Sequence, residues 1–148
     1  MTVTSDEWRE LEQQILSGIA AVDRGSASLS LTQLSEDFVI IHDGARVGRP
    51  EYDRLIAARE RAPYTSRHIV SNVRIHGDTD HAFRADYIVV VHRIFRDTGE
   101  LTMSIADFHD LWERNADGDL VLHQRAVTTV VDSAHAQARS VESLDEAT

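Results

Sequence analysis

Apolar residues at Trp8, Leu11, Ile15, Ile19 and Val22 recur at spacings of three and four. That is the stripe of an amphipathic helix, with Ser5 and Asp6 as N-cap chemistry ahead of it and Gly25 as its stop. A short polar helix carrying Leu29, Leu31 and Leu34 follows. The run 38–42, Phe-Val-Ile-Ile-His, is too short and too β-branched for anything but a strand, and Asp43-Gly44 turns the chain. Pro50 suits the first position of a further helix over 51–61, whose inward residues would be Tyr52, Leu55, Ile56 and Ala58 or Arg59; Pro63 ends it. Beyond it the pattern changes to long β-branched runs at about 67–76, 82–95, 100–114 and 120–131. Gly77-Asp78, Asp97-Thr98-Gly99 and residues 115–119 separate them as turns, so these strands are expected to be antiparallel neighbours. The order predicts an α+β fold, with about three helices on one face of a curved, mostly antiparallel sheet.

A chain of 148 residues is one ordinary domain, long enough to bury a core unaided. That domain is expected over 1–131. Residues 132–148, rich in Ala, Ser, Glu and Asp, read as a frayed tail or short accessory helix. A net charge of -10 and no visible Lys/Arg cluster oppose a nucleic-acid partner. The absence of cysteine removes disulfides, thiolate nucleophiles and thiolate-ligated metals. Residues 1–9 carry neither a basic start nor an apolar run, and no segment approaches the ~18 apolar residues of a membrane span. The chain reads as soluble and cytoplasmic, with no membrane partner.

Asp23 at the end of the first helix, the strand opening Arg67-His68 to Asn72, and residues 108–114 followed by Asp117-Gly118 and Arg125 resemble the SnoaL-like group of the nuclear transport factor 2-like superfamily. The resemblance covers roughly residues 6–131. It implies a cone in which helices close one side of a bent sheet over a deep apolar pocket. That fold hosts polyketide cyclases, ketosteroid isomerases, dehydratases, a dehydrochlorinase, limonene epoxide hydrolase and domains that only bind or dimerise, so it does not by itself name a reaction.

Asp23 lies where the negative end of a helix dipole disfavours a carboxylate by about 0.3–1 kcal/mol. A neutral histidine facing it would compensate, with the carboxylate fixing the tautomer and raising the basicity of the other ring nitrogen. The resemblance places such a pair at Asp23 and His68. The plainer alternatives are an Asp23 that bonds Arg24 or caps a turn and a His68 that satisfies a backbone carbonyl. On an alternating strand His68, Val70 and Asn72 share one face. Arg125, seven residues after Gly118, matches an active-site arginine of the dehydrochlorinase and would stabilise an oxyanion, or else form an ion pair on its strand. The resemblance also draws attention to His42 or Asp43, to His92, and to His109 with Asp110 competing for its place. Tyr52, Tyr64, Phe83, Tyr87, Phe108 and Trp112 are candidate pocket walls or dimer-face residues. Gly18 departs from relatives that carry a lysine or tyrosine there.

Three readings follow. The first is a cofactor-independent lyase or isomerase acting on a small hydrophobic or polycyclic molecule, with His68 as general base, Asp23 as its orienter and Arg125 as oxyanion stabiliser. His42, Tyr52, Asn72, His92, Phe108 and His109 would contact the substrate. The second is a non-catalytic ligand-binding or dimerisation module, which expects Asp23 and His68 apart or a pocket filled by side chains. The third is an epoxide hydrolase or cyclase using Arg84 and Asp86, which requires both to face inward. No cofactor is expected. No metal is expected either, since only His76 and His81 flank a common turn. A homodimer is expected through the outer face of the sheet.

Overall fold

A capping box starts the first helix in the computed structural model, which describes residues 2–133. Thr4 is extended, its Oγ1 accepts the Glu7 amide at 3.2 Å, and the Glu7 carboxylate accepts the Thr4 amide at 2.8 Å. Thr4, not Ser5 or Asp6, is therefore the cap, because it stands three residues before a glutamate. Helix α1 runs Ser5–Asp23 and buries Leu11, Ile15 and Ile19, the centre of the apolar stripe. Gly25, at φ +81°, turns the chain out of it. The polar segment that follows is a 3-10 helix, Ala27–Gln33, and Leu34 already belongs to the next strand.

That strand, β1 (Leu34–His42), begins four residues before the apolar run 38–42. Asp43-Gly44 folds it back on a short strand, β2 (Ala45–Gly48), which its polar sequence gave no reason to expect. Helix α2 spans Glu51–Arg59, so Pro50 stands at the cap rather than at the first helical position. Four long strands complete the chain: β3 (Tyr64–Gly77), β4 (Ala82–Phe95), β5 (Leu101–Arg114) and β6 (Leu120–Asp132). Asp132 thus ends a strand instead of opening a tail. The rest of the expected tail or accessory helix lies outside the described residues, apart from Ser133.

The six strands form one curved sheet in the order β2-β1-β6-β5-β4-β3, antiparallel throughout except for the parallel pairing of β1 with β6. Helices and 3-10 turn close its concave face. Leu11, Ile15 and Ile19 of α1 pack there with Phe38, Phe83, Tyr87, Val89, Trp112 and Leu122. The fold is α+β as the pattern of elements implies. Among the described residues no helix is long and apolar enough to cross a membrane.

Two breaks in alternation decide which side chains face the helices. In β3, Ser66, His68 and Val70 point inward, but a bulge between Ser71 and Arg74, with Asn72 at φ +55°, reverses the phase so that Val73 and Ile75 follow them. In β6 the pairing slips between Leu111 and Trp112, and the inward set passes from Leu120 and Leu122 to Arg125 and Val127. β4 and β5 pair without a break, so Phe83, Ala85, Tyr87, Val89 and Val91 face inward throughout.

Candidate active site

Helix α1 ends against the start of β3, which brings Asp23 beside His68. The His68 ring Nδ1 lies 2.5 Å from Asp23 Oδ1, and the His68 amide donates to Oδ2 at 2.7 Å. Ser66, on the same face two residues earlier, donates to Oδ1 at 2.7 Å and itself accepts from Arg59 of α2 at 2.6 Å. With that acceptance its single proton is committed to Asp23. Burial would raise the Asp23 pKa, but the hydrogen bonds from the His68 amide and ring and from Ser66 outweigh it, and the carboxyl lies below its ordinary value. Burial pushes the His68 imidazole below its usual value; the hydrogen bond and charge of Asp23 oppose this, while the cations Arg93 and Arg59 add to it. The pair at neutral pH is therefore a carboxylate and a neutral imidazole, whose Nδ1–H points at Asp23. Nε2 is left without a partner among the described residues.

His68 borders a cavity of about 260 Å³ between the helices and the sheet. Leu34, Ile40, Tyr52, Phe108 and Val127 give it largely apolar walls, and His42 stands at its edge. Gly18 also borders it, and a Cβ there would run into the side chain of Gln33, which is held by Gln14.

A second polar group lies in the same cavity wall. Arg125 donates through Nε and Nη2 to the two oxygens of Asp110, each at 2.8 Å, and through Nη2 to the Tyr87 hydroxyl at 2.9 Å. Tyr87 and Trp112 Nε1 donate to the same carboxylate, at 2.7 and 3.2 Å. The Asp110 side chain is fully buried, and every buried side-chain polar atom among the described residues is partnered. Burial alone would lower the Arg125 pKa; the Asp110 charge and the neighbouring Tyr87 more than reverse that, so the guanidinium stays charged. It also lies 5.3 Å from the Phe108 ring centroid.

His68, Arg125, His42, Tyr52 and Phe108 thus meet around one space, and Asp23 supports His68 from behind its wall. Three other expected contacts do not. Asn72 sits on the bulge and is exposed. His92 falls in the outward phase of β4, because Val91 faces in. His109 faces outward while its neighbour Asp110 takes the inward place, and its ring lies 2.6 Å from Asp86. Arg84 and Asp86 also face outward, Arg84 pairing with Asp78 at 3.2 Å, which removes the reading built on them. His76 approaches Asp86 at 3.7 Å rather than His81, and no group of three possible metal ligands occurs among the described residues. Ser66 and Arg59 join this site without being among the residues the sequence predicts for it. Ser66 was legible in principle, since it lies two residues from His68 and shares its face.

With this cavity the chain is similar in fold to the SnoaL-like, nuclear transport factor 2-like proteins. No protein-family model and no curated protein matches it in sequence, and the likeness is one of solved structures. A protein from Catenulispora acidiphila, solved in complex with S-DNPA, is 25% identical over 94% of this chain and 99% of its own, with a TM-score of 0.71. A Novosphingobium aromaticivorans protein assigned as a scytalone dehydratase superposes with a TM-score of 0.78 at 15% identity, covering 85% of each chain. ActVI-ORFA from Streptomyces coelicolor gives 0.72 at 18% identity, over 83% of this chain and 97% of its own.

Proposed function

We propose that the protein is a lyase or isomerase that moves a proton on a small, largely apolar molecule, with His68 as general base. The observation that carries this is His68 in the cavity wall, held through Nδ1 by Asp23 behind it, with Nε2 left free. Drawn as a dehydration, Nε2 takes the proton next to a carbonyl, the electrons form the carbon–carbon double bond through an enolate, and the β-hydroxyl leaves with the proton as water. Asp23 holds the tautomer and steadies the imidazolium. Arg125, fixed by Asp110, offers its remaining Nη1 donors to the enolate oxygen. Each step moves protons and one leaving group, so the chemistry needs no redox or group-carrying cofactor. A dry cavity of about 150 Å³ holds a benzene, so this one suits a molecule of one or two rings. The assignment of a structural neighbour as a scytalone dehydratase points the same way. The non-catalytic alternative expects the dyad apart or the cavity filled, so the 2.5 Å Nδ1–Oδ1 approach and the open cavity support the catalytic reading.

The test is proton NMR in D2O on a panel of one- and two-ring ketones and β-hydroxy ketones. Loss of α-proton signal or of water is expected with the native protein, and none above background with folded His68→Gln. Undiminished exchange in that variant would sink the proposal.

We also propose a homodimer formed through the outer sheet face. Ile69, Val90, Ile105 and Val131 lie opposite one another across β3, β4, β5 and β6, an apolar row with Ile69 and Val131 exposed. Sedimentation should give a dimer at micromolar concentration and a monomer for Ile69→Glu; a native monomer would refute it.

A further inference from the structure

All fifteen cationic side chains of this acidic chain are arginines, and along the sequence they form no cluster. The fold makes one. Behind Asp23, on the side away from the apolar cavity, a second cleft of about 390 Å³ is lined by Arg24 from the end of α1, Arg59 from α2, Arg67 from β3 and Arg96 after β4. Outside the cleft, Arg9, Arg49, Arg84, Arg114 and Arg125 pair with carboxylates, whereas the other described arginines are dispersed singly over the surface and the sheet. Among the described residues none of the four in this cleft pairs with a carboxylate.

Three of them, Arg59, Arg67 and Arg96, are held by neutral oxygens and a ring. Arg67 donates through Nη1 to the carbonyls of Asp23 and Ser66, and Arg96 through Nη2 to that of Ala62. Arg59 donates to Ser66 and stands 4.4 Å from the centre of the Tyr64 ring. These bonds offset the negative ends of α1 and α2 but occupy a single nitrogen of each guanidinium. The cleft has two carboxylates, Asp23 and Glu60. Both oxygens of Asp23 are taken by Ser66 and His68, and Glu60 accepts from the Ser28 amide. What remains is a concave surface with a surplus of forked donors. Guanidinium pairs favour planar or tetrahedral oxyanions, which they bind bidentately.

We propose that this cleft binds the phosphate group of a small molecule, either free phosphate or a phosphate ester whose organic part lies on Tyr64. Arg59 borders both cavities. A phosphate drawn to it therefore lies behind Ser66 and Asp23, and Arg59 is the polar side chain the two sites share, Val22 being the other residue common to both. The inference stands apart from the proton-transfer proposal, because binding is read without turnover.

The experiment is titration of the native protein at low ionic strength with inorganic phosphate and, separately, phenyl phosphate, by calorimetry and amide NMR. Saturable binding is expected, with shifts at Thr65 to Arg67 and at Arg96. Arg67→Gln and Arg96→Gln, both exposed positions, should each weaken it about tenfold, while Arg74→Gln, an exposed arginine of β3 outside the cleft, should leave it unchanged. Equal affinity for the two probes assigns the site to free phosphate, and tighter phenyl phosphate assigns it to an ester. Failure to saturate, shifts mapping elsewhere, or equal weakening by Arg74→Gln would overturn the proposal.

Discussion

The two faces of the sheet each carry an aspartate–histidine pair of nearly the same length, 2.5 Å for Asp23–His68 and 2.6 Å for Asp86–His109. Their surroundings differ. The inner side chains are 11% and 17% exposed, the outer ones 40% and 55%. Asp23 takes two further hydrogen bonds, one of them from a serine held by an arginine, whereas Asp86 has a second histidine at 3.7 Å and water around it. An exposed pair gains little from its own attraction and is screened by salt. A buried one is forced into a single protonation arrangement beside an apolar space. Pair geometry alone therefore does not mark a site; burial and supporting donors do.

The sharpest separation of the two pairs is kinetic. His68→Gln should lower proton exchange on the ketone panel by about 10²–10⁴, with His109→Gln at the native rate; equal losses would erase the distinction. Stability comes next. Asp110→Ala leaves the Arg125 charge buried without its partner and should cost about 3–5 kcal/mol in urea unfolding, against no more than about 0.5 kcal/mol for Asp86→Ala on the outer face. Ser66→Ala removes a buried hydroxyl between Arg59 and Asp23 and should cost about 1–3 kcal/mol. The smallest effect is in pH. His68 titrates lower when folded than its ordinary value of 6.5, so below 6.5 the unfolded chain binds the proton first and stability falls as pH falls toward the folded value. Unfolding free energies between pH 7 and 5 should show this decline, and it should flatten in His68→Gln.

Much of this was legible in the chain. Leu11, Ile15 and Ile19 announced a helix, and the turn residues at 77–78, 97–99 and 115–119 delimited the antiparallel strands. The resemblance put Asp23 with His68. What escaped was facing. Strict alternation groups Asn72 with His68, a grouping the bulge breaks, and a single residue of phase separates His109 on the outer face from Asp110 in the core. Long-range partners escaped too. Nothing local to Arg59 says that it meets Ser66, and the four arginines of the cleft lie in four separate segments that only the closing of α1 and α2 on β3 brings together.

The bulges of β3 and β6 also bear on how such a chain tolerates insertions and deletions. Loss of one residue near His123 can be absorbed by flattening the bulge, leaving Arg125 on its present face. The same loss in β4, whose pairing with β5 has no slack, turns Val90 and His92 inward in place of Val89 and Val91. Length variation among chains built on this plan should accordingly collect around residues 72 and 123, while β4 keeps its count.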